Sequence, residues 1–363
     1  MKIVIVGGGM QGRVIARNLQ ARQEKPEVVV VDIRDGGDLP KGVTFQKGDI
    51  LEPAQARAIT RGADAAVLAV PSAISHEALT NLLKTGISVA DVSFTPEPPL
   101  SLDSLAQETG ACCIVDCGVA PGLSHLLVGA AHAELSGLDS ARILVGGIPQ
   151  SPPPVFRHAV YFNPHDLLSE YVRPARARHG KKDIAPAPLE TQVETFLDPE
   201  LGELKAFLSD GLRSLLGSYP DVAEMAELTL RWPGHLESMK ALWDMGILNN
   251  AEALKAVGST FGRRYPADDY PDVLVMVVEA TRGDQKRSWR LIDRRSADES
   301  AMSRTTGFTT AAFAMVLARK QFTQAGVHPP ERLGRDRQLV ATIVQDLCER
   351  GVRVSETTLS CKA

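Results

Sequence analysis

One short segment constrains this chain more than any other. Lys2-Ile3-Val4-Ile5-Val6 is an apolar run that meets Gly7-Gly8-Gly9-Met10-Gln11-Gly12 at once. Gly7, Gly9 and Gly12 fit G-x-G-x-x-G. The next apolar run, Val28 to Val31, ends in Asp32, twenty residues after Gly12. A strand, a glycine turn, a helix (Gln11 to Arg22) and a second strand ending in an acid are the parts of a dinucleotide-binding βαβ unit. Gly7 permits the tight turn, Gly9 lets backbone approach a pyrophosphate, and Gly12 lets the helix pack on the strand. The helix start, with Met10 and Gln11, offers free N–H groups and partial positive charge to phosphate. The alternative is a glycine turn without a ligand.

Asp32 is placed to accept from the hydroxyls of an adenosine ribose, and its charge favours NAD. Arg34, two residues on, keeps NADP open. Asp49 either reaches the adenine amino group or forms a turn before Ile50. Ala69, Val70 and Pro71, at the end of a fourth strand, are expected under the middle of the cofactor.

Further strands are expected at Thr44–Gln46, Ala65–Val70, Ser88–Val92 and Cys112–Val115, with helices at Pro53–Thr60 and His76–Lys84. Nearly continuous apolar strands separated by helices imply a doubly wound parallel α/β sheet covered on both faces. Beyond about residue 122 the pattern changes. Ala141–Ile148 and Val155–Phe162 read as strands, and Arg173–Pro188 as a loop. Val273–Ala280 and Arg287–Asp293 read as a hairpin. These suggest a second mixed α/β domain with an open, largely antiparallel sheet. Thr309–Gln321 and Leu339–Glu349 read as helices.

Charge excludes some functions. With 40 Lys+Arg against 44 Asp+Glu, the chain has no basic field for nucleic acid or an anionic membrane. No apolar run reaches the ~20 residues of a membrane span. The N-terminus lacks the pattern of a signal peptide. Cys112, Cys113, Cys117, Cys348 and Cys361 form no metal-ligand spacing. Reduced thiols packed as small hydrophobes, in a cytoplasmic protein without a metal, are the expectation.

A second motif follows the strand at Cys112. Asp116-Cys117-Gly118-Val119-Ala120-Pro121-Gly122 can turn at the carboxyl end of the sheet, where open α/β folds bind ligands. The alternative is a structural corner. This turn resembles that of the saccharopine dehydrogenase-like amino-acid dehydrogenases, the lysine 6-dehydrogenases most of all. The resemblance continues at Val145–Pro149, Thr229–His235, Met302–Gly307, Gly326–Glu331 and Gly351–Glu356.

The resemblance implies a Rossmann domain over residues 1–121 and a substrate and oligomerisation domain over 122–299. It implies a segment, 300–363, that returns to the first domain. It also implies a homodimer or higher homo-oligomer acting on a small amino acid. The implied reaction is NAD(P)-dependent oxidative deamination of a side-chain amine, L-lysine giving 2-aminoadipate 6-semialdehyde. Asp91-Val92-Ser93-Phe94 departs from the lysine 6-dehydrogenase pattern. That keeps a saccharopine- or carboxynorspermidine-type secondary-amine dehydrogenase as an alternative. A further alternative is an NAD-binding sensor without turnover.

Such a deamination needs a neutral amine. Neutralising a lysine-like amine at pH 7 costs about 4–5 kcal/mol, at ~1.4 kcal/mol per pH unit. The candidate bases are Asp116, Asp91 and His235. Asp116 is alternatively a helix cap, and His235 a hydrogen-bonded loop histidine. His125 reads as packing or capping. Arg231 and Arg304 are candidates for gripping an α-carboxylate, because guanidinium can do so with two parallel bonds. Thr305 would add donors at a helix start, and Tyr161 would line the pocket or join the core.

Overall fold

In a computed structural model, residues 1–95 and 97–360 are described; Cys361 lies outside them. The chain forms two compact units. The first comprises residues 1–130 and 303–350, the second 131–302 and the described residues from 351 on.

The chain opens with β1 (Lys2–Val6), α1 (Met10–Gln20), β2 (Glu27–Asp32), β3 (Val43–Lys47), α2 (Pro53–Ile59) and β4 (Ala65–Leu68). It continues through α3 (Ser72–Leu83), β5 (Val89–Asp91), α4 (Asp103–Thr109), β6 (Cys112–Ile114) and α5 (Leu123–Glu134). These strands pair in parallel, and β1 lies between β2 and β4. Val4, Val6, Val29, Val31, Ala66 and Leu68 pack with Leu79, Leu82 and Leu83 of α3. On the opposite face Ile3, Ile5, Val28, Val30, Ala65 and Val67 are buried as well, which is the burial on both faces that the apolar runs predict.

The second unit begins at β7 (Ser140–Pro149) and α6 (Pro164–Ser169). It adds β8 (Ala177–His179), β9 (Lys182–Ile184), β10 (Glu194–Asp198), β11 (Gly202–Ser209), α7 (Leu215–Ser218) and β12 (Glu224–Arg231). Then come α8 (His235–Asp244), α9 (Ala251–Arg264), β13 (Asp272–Arg282) and β14 (Gln285–Arg294). Two expectations need correction. Val155–Phe162 is no strand. Pro152, Pro153 and Pro154 remove ladder donors, and Val155 and Arg157 take positive φ values of 68° and 60°. Within Arg173–Pro188, expected as a loop, β8 and β9 form a small hairpin turned at Gly180 and Lys181, both with positive φ.

The last stretch holds α10 (Ala301–Ala318), β15 (Gly326–His328), α11 (Pro330–Leu333), α12 (Arg337–Glu349) and β16 (Arg353–Ser360). β15 pairs with β6, giving the parallel order β15-β6-β5-β4-β1-β2-β3. β16 instead pairs antiparallel with β14. So the segment expected to return whole to the first unit divides, because a sheet edge takes its final strand. Residues 122–130, expected in the second domain, likewise belong to the first unit. The second sheet runs β10-β11-β12-β7-β13-β14-β16, with β8 and β9 beside β12. Only β12 and β7 run parallel in it.

Helix α1 is tied down at its far end. Arg22, 2% exposed, forks onto Asp346 of α12 at 2.7 and 2.8 Å and also donates to Asn18 Oδ1. Arg22→Ala leaves Asp346 without this partner. We expect a loss of about 3–5 kcal/mol in denaturant unfolding; a loss under about 1 kcal/mol would place the pair in the class of exposed ion pairs.

Candidate active site

The three motif glycines are glycine for different reasons. Gly7 has φ of 107°, and a Cβ there would lie 2.2 Å from the Ala69 carbonyl oxygen. A Cβ at Gly12 would lie 1.9 Å from the Gly7 oxygen. Both are closed by the protein's own backbone. A Cβ at Gly9 would meet nothing within 4 Å. The space over Gly9 is open, as a cradle for a diphosphate requires. The first intrahelical bond of α1 runs from the Arg13 N–H to the Gly9 carbonyl at 3.1 Å. The N–H groups of Met10, Gln11 and Gly12 therefore have no acceptor within the helix. Met10 is exposed, and Ser303 Oγ donates to its sulfur at 3.2 Å.

Asp32 braces this loop. Its Oδ2 accepts from the Gly8 N–H at 2.8 Å and its Oδ1 from the Arg34 N–H at 2.9 Å. An ionised carboxylate has about four acceptor positions, so capacity remains for ribose hydroxyls. The Arg34 residue is exposed. Asp49 is a turn former: its Oδ1 accepts from the Leu51 N–H and its own N–H donates to Gln55. Ile50, carried with Asp49 as an expected cofactor-binding position, is 4% exposed and packs in the core. Ala69, Val70 and Pro71 follow β4, and the Val70 N–H donates to Ser93 Oγ at 3.0 Å.

Asp91 is 1% exposed, and its Oδ1 accepts from the Ser93 N–H at 2.8 Å. Asp116 is 7% exposed and sits at φ 52°, a left-handed position uncommon for a residue with a side chain. The Cys117 N–H donates to the Asp91 carbonyl at 2.8 Å, which joins the two acid-bearing turns. His125 Nδ1 accepts from the Gly122 N–H, so this histidine caps the turn. Burial pushes the thiols of Cys113 and Cys117 well up, with Asp91 and Asp116 adding to the effect. Among the described residues, no group of three or more His, Cys, Asp or Glu is arranged to hold a metal.

Arg304 and Thr305 are not at a helix start. Helix α10 begins at Ala301, and Asp272 accepts from the N–H groups of Ala301 and Met302. Thr305 is fully buried inside the helix, so its N–H is no free donor. Arg304 stacks on Phe308 and donates to the Arg350 carbonyl.

The second unit gathers Arg231 and His235 through residues the sequence did not single out. Arg231, 3% exposed, donates from Nε to the Tyr171 hydroxyl at 2.9 Å and from Nη2 to Glu170 at 2.7 Å. Its Nη1 donates to the Leu230 carbonyl at 3.0 Å. Guanidinium has five N–H groups, and three are engaged. Burial works against the charge, but Tyr171 and Glu170 more than offset it and raise the Arg231 pKa. His235 Nδ1 donates to the Phe156 carbonyl at 2.7 Å, so its Nε2 accepts from the Tyr171 hydroxyl, also at 2.7 Å.

Both His235 nitrogens are occupied. Burial first, then Arg231, lowers its pKa to about 3. This corrects the expectation of His235 as a general base. Tyr161 donates to the Tyr270 carbonyl at 3.0 Å and is 4% exposed, so it belongs to the core. His158, beside His235, is also held neutral by burial. Tyr171 and Glu170 lie sixty or more positions before Arg231. Nothing in Leu167-Leu168-Ser169-Glu170-Tyr171 sets it apart from an ordinary helix end.

The parallel sheet, the open glycine cradle and the strand-end acid define an α/β protein of the dinucleotide-binding type. Residues 118–352 match the family of the saccharopine dehydrogenase C-terminal domain. The chain belongs to this family. Its fold is similar to that of an apo saccharopine dehydrogenase (L-Glu forming) from Saccharomyces cerevisiae. That match has a TM-score of 0.80 and 16% identity and covers 99% of this chain and 100% of that one. A diaminopimelate (DAP) dehydrogenase from C. glutamicum, in complex with DAP, matches at TM-score 0.49 and 14% identity, over 97% and 99%.

Two measurements check this geometry. Gly9→Val should fold normally and weaken NADH binding on the order of 10–100-fold, the value of one or two charge-assisted bonds. Gly12→Val should fail to fold stably. Thermal melts and fluorescence titration separate the two, and unaltered NADH affinity in Gly9→Val would remove the loop from cofactor binding. Second, the His235 ring resonances should not titrate between about pH 5 and pH 8. Because its folded pKa is depressed, its contribution is present above pH 6.5 and lost as pH falls toward 3. A ring titrating near pH 6.5 would refute the closed arrangement.

Proposed function

We propose that this protein is an NAD(P)-dependent amino-acid dehydrogenase acting on a C–N bond. The substrate that fits the reading best is L-lysine, deaminated at its side chain to 2-aminoadipate 6-semialdehyde. The observation that carries this is the open cradle over Gly9 with Asp32 beside it, in a chain of the saccharopine dehydrogenase family. The loop residues fit a nicotinamide dinucleotide, with Met10, Gln11 and Gly12 offering N–H groups to the diphosphate and Asp32 receiving the ribose. Bound there, the nicotinamide would accept hydride from the carbon bearing the amine. NAD is favoured by the Asp32 charge, and Arg34 is the residue through which NADP would be tolerated.

With His235 closed off, Asp116 is the base of choice. It would take a proton from the substrate ammonium and later orient water toward the imine. Asp91 is tied to Ser93 and steadies the neighbouring turn. The two unengaged N–H groups of Arg231 suit one carboxylate of an amino acid. A secondary-amine substrate such as saccharopine, with three carboxylates, is supported by one observation. Arg157 donates from Nε to the Pro233 carbonyl, next to Gly234, and takes part in no described carboxylate pair. Arg173, by contrast, is paired with Asp210.

The test is absorbance of reduced nicotinamide with NAD or NADP and L-lysine, saccharopine or carboxynorspermidine. NADH formed from L-lysine is the expected result; turnover of a secondary amine alone would move the protein to the second reading. Asp116→Asn should keep NADH binding and lose about 10²–10⁴-fold in turnover, the usual worth of a general base. Unchanged turnover would take Asp116 out of that role.

A further inference from the structure

Glu227 lies on β12 two positions before Thr229 and four before Arg231, so all three share one face of the strand. The residue is 5% exposed, and its Oε2 has no hydrogen-bond partner. Its carboxyl rests on Gly211, where a Cβ would lie 1.6 Å from Oε1. Room for this acid therefore depends on the missing side chain at 211. The charged groups acting on it are Glu170, Asp210 and Arg173. Each is already engaged: Glu170 with Arg231 at 2.7 Å, and Asp210 with Arg173 at 3.2 Å and with Arg176 at 2.7 Å. Its strand neighbours, Ser209 on β11 and Ile143 on β7, carry no charge. A buried carboxylate with an unpartnered oxygen, beside two other carboxylates, is strongly disfavoured; the neutral acid is not.

We infer that Glu227 is a positioning residue that works as a neutral acid, leaving Glu170 undisturbed to hold Arg231 in the orientation that receives a substrate carboxylate. The last clause rests on the role proposed for Arg231 above. Burial first, with Glu170 and Asp210 adding to it, raises the Glu227 pKa to about 8. Above that pH an ionised Glu227 repels Glu170 and loosens its pair with Arg231. The sign for stability follows. The folded-state pKa is raised, so the contribution is full below the unfolded value near 4.5 and is lost as pH rises through 8.

The test uses the full chain and Glu227→Gln, a neutral isostere. The first readout is the Arg231 Nε–H resonance, assigned with Arg231→Lys and followed from about pH 6 to about pH 10. In the wild type it should be protected from exchange below pH 8 and lose protection above it. In Glu227→Gln it should stay protected throughout. Thermal stability of the wild type should fall between about pH 4.5 and about pH 8 and level off above that, while Glu227→Gln should lack this fall. The carbonyl stretch of a protonated carboxylic acid should appear in the infrared spectrum of the wild type and be absent from Glu227→Gln. With substrate, KM of the wild type should rise by about tenfold across the transition with little change in kcat, and the variant should lack that rise. Identical pH behaviour of Arg231 in the two proteins, or no acid band, overturns the inference. Silence with every amine overturns the proposed function instead, and the resonance still decides the place of Glu227.

Discussion

The first unit depends on a backbone contact that only glycine allows. Gly7 sits against the Ala69 carbonyl and Gly12 against the Gly7 carbonyl. These approaches bring the start of α1 and the end of β4 onto the same point at the carboxyl end of β1. Because β1 lies between β2 and β4, that point is where the ends of the inner strands converge. The N–H groups of α1 are left unbonded there because the helix begins against the strand, with no residue upstream to cap it by side chain. Close packing and the free N–H groups at the helix start therefore share one cause. Gly307 extends the same economy of space: a Cβ there would lie 2.6 Å from Val14, so α10 too reaches α1 without a side chain between them.

The second unit is governed by a buried charge. Arg231 keeps its proton because Tyr171 and Glu170 accept from it, and Tyr171 has the hydroxyl to give His235 because His235 is neutral. Each bond fixes the protonation state of the next. Burial raises the Tyr171 pKa to about 12, so its phenol stays a donor toward His235. Polar chains of this kind rigidify a core when every member is satisfied, and a charge left without its partner there is costly. The non-strand backbone at Val155–Arg157 belongs to this chain, since it presents the Phe156 carbonyl to His235.

Legibility in the sequence follows the range of the interaction. The βαβ start was legible because strand, turn and helix are local, and each glycine has a local reason. So was the β13–β14 hairpin, whose turn residues are adjacent. The parallel, doubly wound character of the first sheet followed from the alternation of apolar runs and helices. The strand expected at Val155–Phe162 failed because β-branched and aromatic residues suggest extension, whereas three prolines and two left-handed residues decide the backbone. The helix start at Ala301 was missed because its cap, Asp272, lies 29 positions upstream. The same holds for β16, whose partner β14 is set by the sheet edge and by no pattern within Arg353–Ser360. At the candidate site, the open turn at Gly9 and the strand-end position of Asp32 could be read directly. The partners of Arg231 could not, because their pairing exists only after the chain folds.

These contrasts bear on where proton chemistry can reside. A base must change its protonation state near working pH. In the second unit, His235 and His158 are held neutral by burial, and Arg231 is held charged. Such groups neither take nor return a proton near neutrality. Asp116, the acid proposed above as the base, belongs to the first unit. It sits at φ 52° in the turn after β6, a strand of the parallel sheet. Fixed protonation, more than any single distance, is why none of His158, Arg231 and His235 is proposed as the base.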